Sequence, residues 1–442
     1  MLYRKISSLI EDHLSSGSPK ILIIDGARQV GKTFIVRHIG QKLFPNFIEI
    51  NMIEDYSQDR LFSNVGTVED FYLRVSISAG NRMHEKSNTL IFIDEIQAYP
   101  QLLTLLKFLQ QDNRFTYICS GSLLGIALAE TTSLPMGSVR KVQMYPLDFE
   151  EFLYANGLNQ NSIAALQHKF MQMEMLDEPL HNKMLDFFRK FLIVGGLPEP
   201  VDAWISQKNI YRVREIQKEI HRFYATDASK YDLQKKLQIR RIYDLIPSNM
   251  GNRKKRVVAC QIENKKGKSF IDYQDEFEYL ISAGIALQVQ AVSTPVFPLI
   301  ESSGKKNLLK LYLNDVGLLT CILYGSNIQA ILNDESGINL GSVYECVVAS
   351  ELMAHGHQLY YYDNRSKGEV DFLIDDYESL SAIPIEVKSG KDYSIHSALN
   401  TFVGNEDYHI KKAFVLSNER KIIRKGKITH IPIYFMMFFK NP

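Results

Sequence analysis

One short stretch constrains this 442-residue chain more than any other. Gly26-Ala27-Arg28-Gln29-Val30-Gly31-Lys32-Thr33 spells G-x-x-x-x-G-K-T and follows directly on an apolar run, Ile21-Leu22-Ile23-Ile24. A buried strand, then a glycine loop, then a helix presents backbone N–H groups at a helix N-terminus, an arrangement that binds anions. Gly31 removes the side chain that would keep a phosphate off the main chain. Lys32 is expected to reach the β/γ-phosphates, and the Thr33 hydroxyl to ligate Mg²⁺. The expected nucleotide contacts are Gly26, Ala27, Arg28, Gln29, Val30, Gly31, Lys32, Thr33 and Phe34, with ATP and Mg²⁺ as cofactors.

Apolar runs at 20–25, 47–52, 89–94, 115–119 and 139–145 alternate with helical patterns such as Gln101-Leu102-Leu103-x-Leu105-Leu106-x-x-Leu109. That alternation predicts a parallel sheet wrapped by helices, an α/β fold of the P-loop type. The third run, Leu90-Ile91-Phe92-Ile93, ends in Asp94-Glu95. Two acids at the carboxyl end of a strand form a Walker B arrangement, with Asp94 expected in the Mg²⁺ shell and Glu95 expected to polarise the attacking water. The fourth run ends in Ser120-Gly121-Ser122, where Ser120 is either a γ-phosphate sensor or part of an ordinary turn.

These motifs, followed by Tyr145-Pro146-Leu147-Asp148-Phe149-Glu150-Glu151-Phe152, resemble a prokaryotic group of AAA-superfamily ATPases. Its members carry a C-terminal domain of unknown function related to restriction endonucleases. The resemblance runs on through Gly195-Gly196-Leu197-Pro198-Glu199 and Leu313-Asn314-Asp315-Val316-Gly317-Leu318. It implies an ATPase core over 1–146, a helical lid over 147–225, a winged-helix-like segment over 226–320 and a restriction-endonuclease-like domain over 321–442. The group usually has Gly-Arg before the strand leading to Pro-Leu-x-Phe. This chain has Gly137-Ser138, and Arg140 is then the substitute for the group's phosphate-sensing arginine, within one subunit or across a homo-oligomer interface.

From 147 to 225 the pattern is helical, and Gly195-Gly196 followed by Pro198 breaks it. Residues 230–268 hold twelve Lys or Arg against three acids. Such a patch is either a nucleic-acid footprint or a set of solvated faces. The helical rhythm Ile239 to Ile246, Val257-Val258-Ala259, then Phe277 to Ile281 closed by Gly284 is helix-turn-helix-like, with apolar runs at 285–292 and 308–313 as an expected wing.

Near the C-terminus, period-two alternation puts Asp371 on one face of Val370–Ile374, and Glu386 and Lys388 on one face of Ile383–Lys388. A hairpin of the two gives D…E-x-K, in which two carboxylates bind Mg²⁺ and a lysine stabilises developing phosphorane charge. Glu345, on the helical stretch 341–355, is an additional acid. The expected second site is therefore Asp371, Glu386 and Lys388, with Glu345, Asp371 and Glu386 as metal ligands and DNA as the substrate class. The same letters also describe a domain that holds DNA or protein without cutting it. His355 and His357 are expected at the surface, and the tail Ile433–Phe439 as a final buried strand.

Net charge is +1, so any partner preference is local. Four dispersed cysteines give no disulfide framework or zinc set. No run approaches a membrane span, and acids at Glu11 and Asp12 argue against a signal peptide, so the expected location is cytoplasmic.

Overall fold

The apolar runs of the N-terminal part form five strands: β1 Ile21–Asp25, β2 Asn46–Asn51, β3 Thr89–Asp94, β4 Thr116–Gly121 and β5 Val139–Gln143. This is a computed structural model, and it describes all residues except 84–87, 123, 125–136, 228–234, 252–254, 256, 258, 301–308, 334–337, 339, 365, 390–396 and 442. The five strands pair in parallel in the order β2-β3-β4-β1-β5. Every residue of β1 and β3 is buried, as a parallel strand covered on both faces requires. Ile23, Ile91 and Ile93 join Leu102, Leu103 and Leu106 of the helix Pro100–Asp112 in one apolar core. Strand order reverses at β1, whose neighbours are β4 and β5 while β2 lies at the far edge. The cleft at the carboxyl ends of the strands opens at that reversal, where the glycine loop begins.

Contact density divides the chain into two units, residues 3–145 with 282–284, and residues 146–281 with 285–442. The second unit opens with the helices Phe149–Ala155, Gln160–Met171, Glu178–Val194, Pro198–Gln207 and Ile210–Asp227. The break expected at Gly195-Gly196 is a tight junction. The Gly196 N–H donates to Asp315 Oδ2 at 2.6 Å, and Asp315 also caps the helix Val316–Tyr324 by accepting from the Leu318 N–H at 2.8 Å. A Cβ on Gly196 would lie 2.0 Å from the Leu147 carbonyl oxygen, so only glycine fits there.

An eight-stranded mixed sheet follows, in the order β12-β13-β11-β10-β9-β8-β6-β7. Its strands are β6 Ala286–Val292, β7 Leu309–Leu313, β8 Tyr360–Asn364, β9 Gly368–Asp376, β10 Ser381–Val387, β11 Ala413–Ser417, β12 Ile423–Lys425 and β13 Ile428–Pro432. The runs expected as a wing are β6 and β7, which pair antiparallel. Because β6 also pairs in parallel with β8, this hairpin is the edge of the large sheet and not a free wing. Burial explains it: Val289, Ala291, Leu311 and Leu313 are all inside. Residue 308, the start of one expected run, and Val258 of the helical rhythm lie outside the described residues.

The tail corrects another expectation. Ile433–Phe438 is a buried 3₁₀ helix and not a strand. Pro432, with φ −57°, ends β13 and has no N–H to carry a ladder onward. Its apolar residues are buried all round, which a period-two reading cannot distinguish from a strand. His357 and the side chain of His355 are buried too, each with a ring nitrogen on the Phe439 carbonyl, at 3.1 and 3.0 Å.

Candidate functional site

The loop after β1 is held by local geometry. Gly31 has φ +95° and caps the helix Lys32–Leu43, a left-handed conformation that glycine adopts freely. Gln29, at φ +67°, turns the loop back. Arg4 braces it from outside, donating to the Val30 carbonyl at 2.9 Å and the Tyr145 carbonyl at 2.6 Å. Ala27 and Val30 are buried, Arg28 is half-buried, and Phe34 is 58% exposed on the outer side of its helix.

Lys32 is buried, and its ammonium donates to the Gly26 and Ala27 carbonyls, both at 2.9 Å. Burial pushes its pKa down, against the pull of Glu95, Asp25 and Asp94. The Thr33 hydroxyl donates to Asp94 Oδ2 at 2.8 Å, so the glycine-loop motif and the strand-end acid meet across 61 residues of sequence. Ser120, on the neighbouring strand end, donates to Asp94 Oδ1. It therefore orients the acid, which distinguishes it from a plain turn residue. Burial raises the Asp94 pKa, while the Ser120 and Thr33 hydroxyls oppose the rise. A buried carboxylate flanked by a threonine hydroxyl is the donor set a hard divalent cation takes, so these residues fit Mg²⁺.

Glu95 has φ +53°, in the left-handed region. Gln97 Nε2 donates to Glu95 Oε2, and Ser122 Oγ lies 3.5 Å from the same oxygen. Gln97 and Arg4 went unassigned from sequence. Gln97 sits inside the Asp-Glu-Ile-Gln run, and its position two residues after Glu95 was the available signal.

Arg140 falls elsewhere. In β5 it registers with Leu22, whereas the loop begins after Asp25 at the opposite end of the strand. That is about 10 Å along the strand. Its charge is felt by His13, which lies beside the start of β1. Its register therefore places Arg140 at the end of the strand away from the loop.

In the second unit, Ile385 pairs with Phe372 in the antiparallel β9–β10 ladder, and one further step sets Glu386 opposite Asp371. Directly opposed residues share a face. Lys388 pairs with Glu386 Oε1 at 2.7 Å, and Asp371 Oδ2 accepts the Val387 N–H at 2.8 Å. Glu345, on the buried helix Gly341–Ala354, accepts from Lys255 and from the Tyr312 hydroxyl, the latter at 2.8 Å. Lys310, fully buried, pairs with Glu369 at 2.5 Å. Burial, then Glu386 and Glu345, push the Asp371 pKa well up. Burial raises Glu386 as well, with Lys388 opposing. For Glu345 burial is outweighed by Lys255 and Lys310, and its pKa is lowered. The structure thus gathers Glu345, Asp371, Glu386 and Lys388 around one part of the sheet. Glu386 Oε2 is buried without a hydrogen-bond partner among the described residues. An orphaned buried carboxylate oxygen opposite a second acid fits a bound cation. Lys255, Lys310 and Tyr312 were missed as members of this cluster, because each comes from an element distant in sequence.

The basic segment is less free than its composition suggests. Lys235 pairs with Asp275, Arg240 with Asp244 at 3.7 Å, Lys265 with Glu263 at 3.5 Å and Lys268 with Asp272 at 3.3 Å. Lys230, Arg253, Lys254 and Arg256 lie outside the described residues. Elsewhere, Asp148, Glu351 and His355 approach one another closely enough to hold a metal ion. Their oxygens already cap the helix Phe149–Ala155: Asp148 accepts the Glu151 N–H at 2.8 Å and Glu351 the Phe149 N–H at 3.0 Å.

With this geometry in view, comparison with known proteins finds an AAA domain over residues 18–153. The N-terminal unit is an AAA-type P-loop domain. Residues 185–329 match a domain of unknown function, DUF8612, and residues 340–436 match another, DUF4143. An uncharacterized protein of Methanocaldococcus jannaschii is 26% identical over 365 residues, 80% of this chain and 72% of that protein. Among solved structures, a Walker-type ATPase of Pyrococcus abyssi superposes with TM-score 0.45 at 12% identity, covering 73% of this chain and 96% of its own. The ORC1 protein of Aeropyrum pernix, solved in complex with DNA, superposes with TM-score 0.32 at 13% identity, covering 75% and 91%. The α/β architecture, a parallel P-loop sheet followed by a mixed sheet, is as the sequence predicted. Among the described residues no helix is long and apolar enough to cross a membrane.

Proposed function

We propose that this chain hydrolyses ATP at its glycine loop and carries, in its second unit, a Mg²⁺-dependent site directed at the phosphodiester backbone of DNA. The hydrogen bond from Thr33 to Asp94 at 2.8 Å carries the first part, because it joins the two motifs that an ATPase needs in one place. Lys32 would leave its two carbonyls for the β/γ-phosphates, where burial makes a full counter-charge favourable. Thr33 and Asp94 would hold Mg²⁺, which would supply positive charge to offset the negative charge developing on the phosphates. Ser120 fixes the Asp94 rotamer. Glu95, held by Gln97, orients the attacking water and takes its proton.

In the second unit, Asp371 and Glu386 would hold a divalent cation, which would supply the charge to acidify a water and offset negative charge on the phosphate. Lys388, 2.7 Å from Glu386, stabilises the negative charge that develops on the phosphate. The functional boundaries proposed are 1–146 for the ATPase core, 147–225 for the lid, a helical segment from 226, and a nuclease-like domain over 321–442 whose sheet also takes in β6 and β7. Cytoplasmic location and a homo-oligomer using Arg140 across its interface complete the reading.

A second reading, a nucleotide-gated switch that holds DNA or protein without cutting, is favoured by one observation. Both oxygens of Glu345 are already taken, by Lys255 and Tyr312. Incubation with Mg²⁺ or Mn²⁺ and several DNA forms separates the two. Cleavage that disappears in Asp371→Ala supports the nuclease; DNA that is bound but never nicked supports the switch.

A further inference from the structure

We infer that Lys255 is a displaceable counter-ion that holds the carboxylate site of the second unit closed to divalent cations. This rests on the reading of Asp371 and Glu386 as a cation site. Glu345 is 2% exposed, so its charge requires a partner, and Lys255 supplies it. The other Glu345 oxygen takes the Tyr312 hydroxyl. Meanwhile Glu386 Oε2 is buried with no donor among the described residues, opposite Asp371. The cluster is thus neutralised by ammonium groups while one of its oxygens goes unsatisfied.

Among the described residues three lysines act on these acids, and of these Lys255 has the features of a removable part. Lys310 is fully buried, pairs with Glu369 and lies 4.5 Å from the Tyr361 ring centroid. Lys388 extends directly from β10 beside Glu386. Lys255 comes from outside the sheet, and its side chain is 18% exposed. Its backbone has φ +45°, a conformation disfavoured for any residue with a Cβ. The ion pair with Glu345 offsets that strain. A divalent cation between Asp371 and Glu386 would repel the nearby ammonium, and release of Lys255 would relax its backbone and free Glu345 Oε1 as a further ligand. Lys255 and the cation therefore compete for one cluster of negative charge.

The test is Mn²⁺ binding to the full-length, nucleotide-free protein, followed by the electron paramagnetic resonance of free Mn²⁺. Lys255→Met should bind Mn²⁺ about tenfold tighter than the unsubstituted chain, the scale of one shielded charge pair. Glu386→Gln should abolish that binding in both backgrounds. Mn²⁺ affinity that depends on Glu386 but is unchanged or weakened by Lys255→Met overturns the counter-ion role alone. If no binding depends on Glu386 in either chain, the cation-site reading beneath it fails as well. Should Lys255→Met fail to fold, hydrogen exchange in the unsubstituted protein decides. The Val257 N–H, bonded to the Leu309 carbonyl at 3.3 Å, should exchange faster once Mn²⁺ is added, and an unchanged rate overturns the proposal.

Discussion

Asp315 accepts the Gly196 N–H at 2.6 Å, a bond spanning 119 residues of sequence. It ties the Gly-Gly break after the helix Glu178–Val194 to the cap of the helix Val316–Tyr324. Two motifs that look unrelated along the chain, Gly-Gly-Leu-Pro and Asn-Asp-Val-Gly, are one packed junction. Asp315 is 2% exposed, and burial raises its pKa against four backbone N–H donors.

Gly196→Ala should destabilise the second unit by about 3 kcal/mol or more, because the added methyl would meet the Leu147 carbonyl oxygen at 2.0 Å, a backbone atom and not the end of a flexible side chain. Denaturant unfolding followed by circular dichroism measures it. A midpoint within error of the unsubstituted chain would show that the junction yields easily.

Thr33→Ala should weaken Mg²⁺-dependent ATP binding by about 10–100-fold, whereas Thr33→Ser should retain most of it, because only the hydroxyl reaches Asp94. Titration with a fluorescent ATP analogue at several Mg²⁺ concentrations distinguishes the two. Equal loss in both variants would indicate a packing role for the threonine methyl.

Arg140→Ala should leave ATP turnover per subunit within about twofold in dilute protein, since Arg140 registers with Leu22 at the far end of β1. Turnover that falls in Arg140→Ala only as protein concentration rises would place this arginine across a subunit interface. Loss at all concentrations would contradict its placement.

The pH profile of stability follows from buried histidines. Burial lowers the pKa of His181 from its ordinary value of 6.5, and its Nδ1 lies 3.0 Å from the Tyr434 hydroxyl. A histidine depressed in the folded state gives stability above pH 6.5 that is lost as pH falls through the folded value. Urea midpoints should therefore drop on acidification below 6.5, and His181→Gln should flatten that drop. An unaltered profile in the variant would assign the acid sensitivity to other groups.

The P-loop sheet was legible because each of its strands is a short apolar run and its chemistry sits at strand ends, where local order fixes position. Asp94 and Thr33 could be paired from motif logic alone. The C-terminal triad was legible for a similar reason: period-two alternation places Asp371, Glu386 and Lys388 without any long-range information. What stayed hidden depends on contacts between distant elements. Lys255 read as one charge in a basic run, yet it reaches Glu345, 90 residues away. Tyr312 and Lys310 carried no signal, because a strand expected in a wing belongs to the sheet edge. The end of β5 that Arg140 occupies stayed hidden too, because a motif departure gives a residue's neighbour in sequence but not its register, and register decides which end of the strand it occupies.

Steady-state ATP turnover and nucleotide binding in the unsubstituted chain, Lys32→Ala and Glu95→Gln probe the ATPase site itself. Lys32→Ala should bind no nucleotide. Glu95→Gln should bind ATP with near-normal affinity and turn it over about 10²–10⁴-fold more slowly. Full turnover in either variant would contradict hydrolysis at the glycine loop.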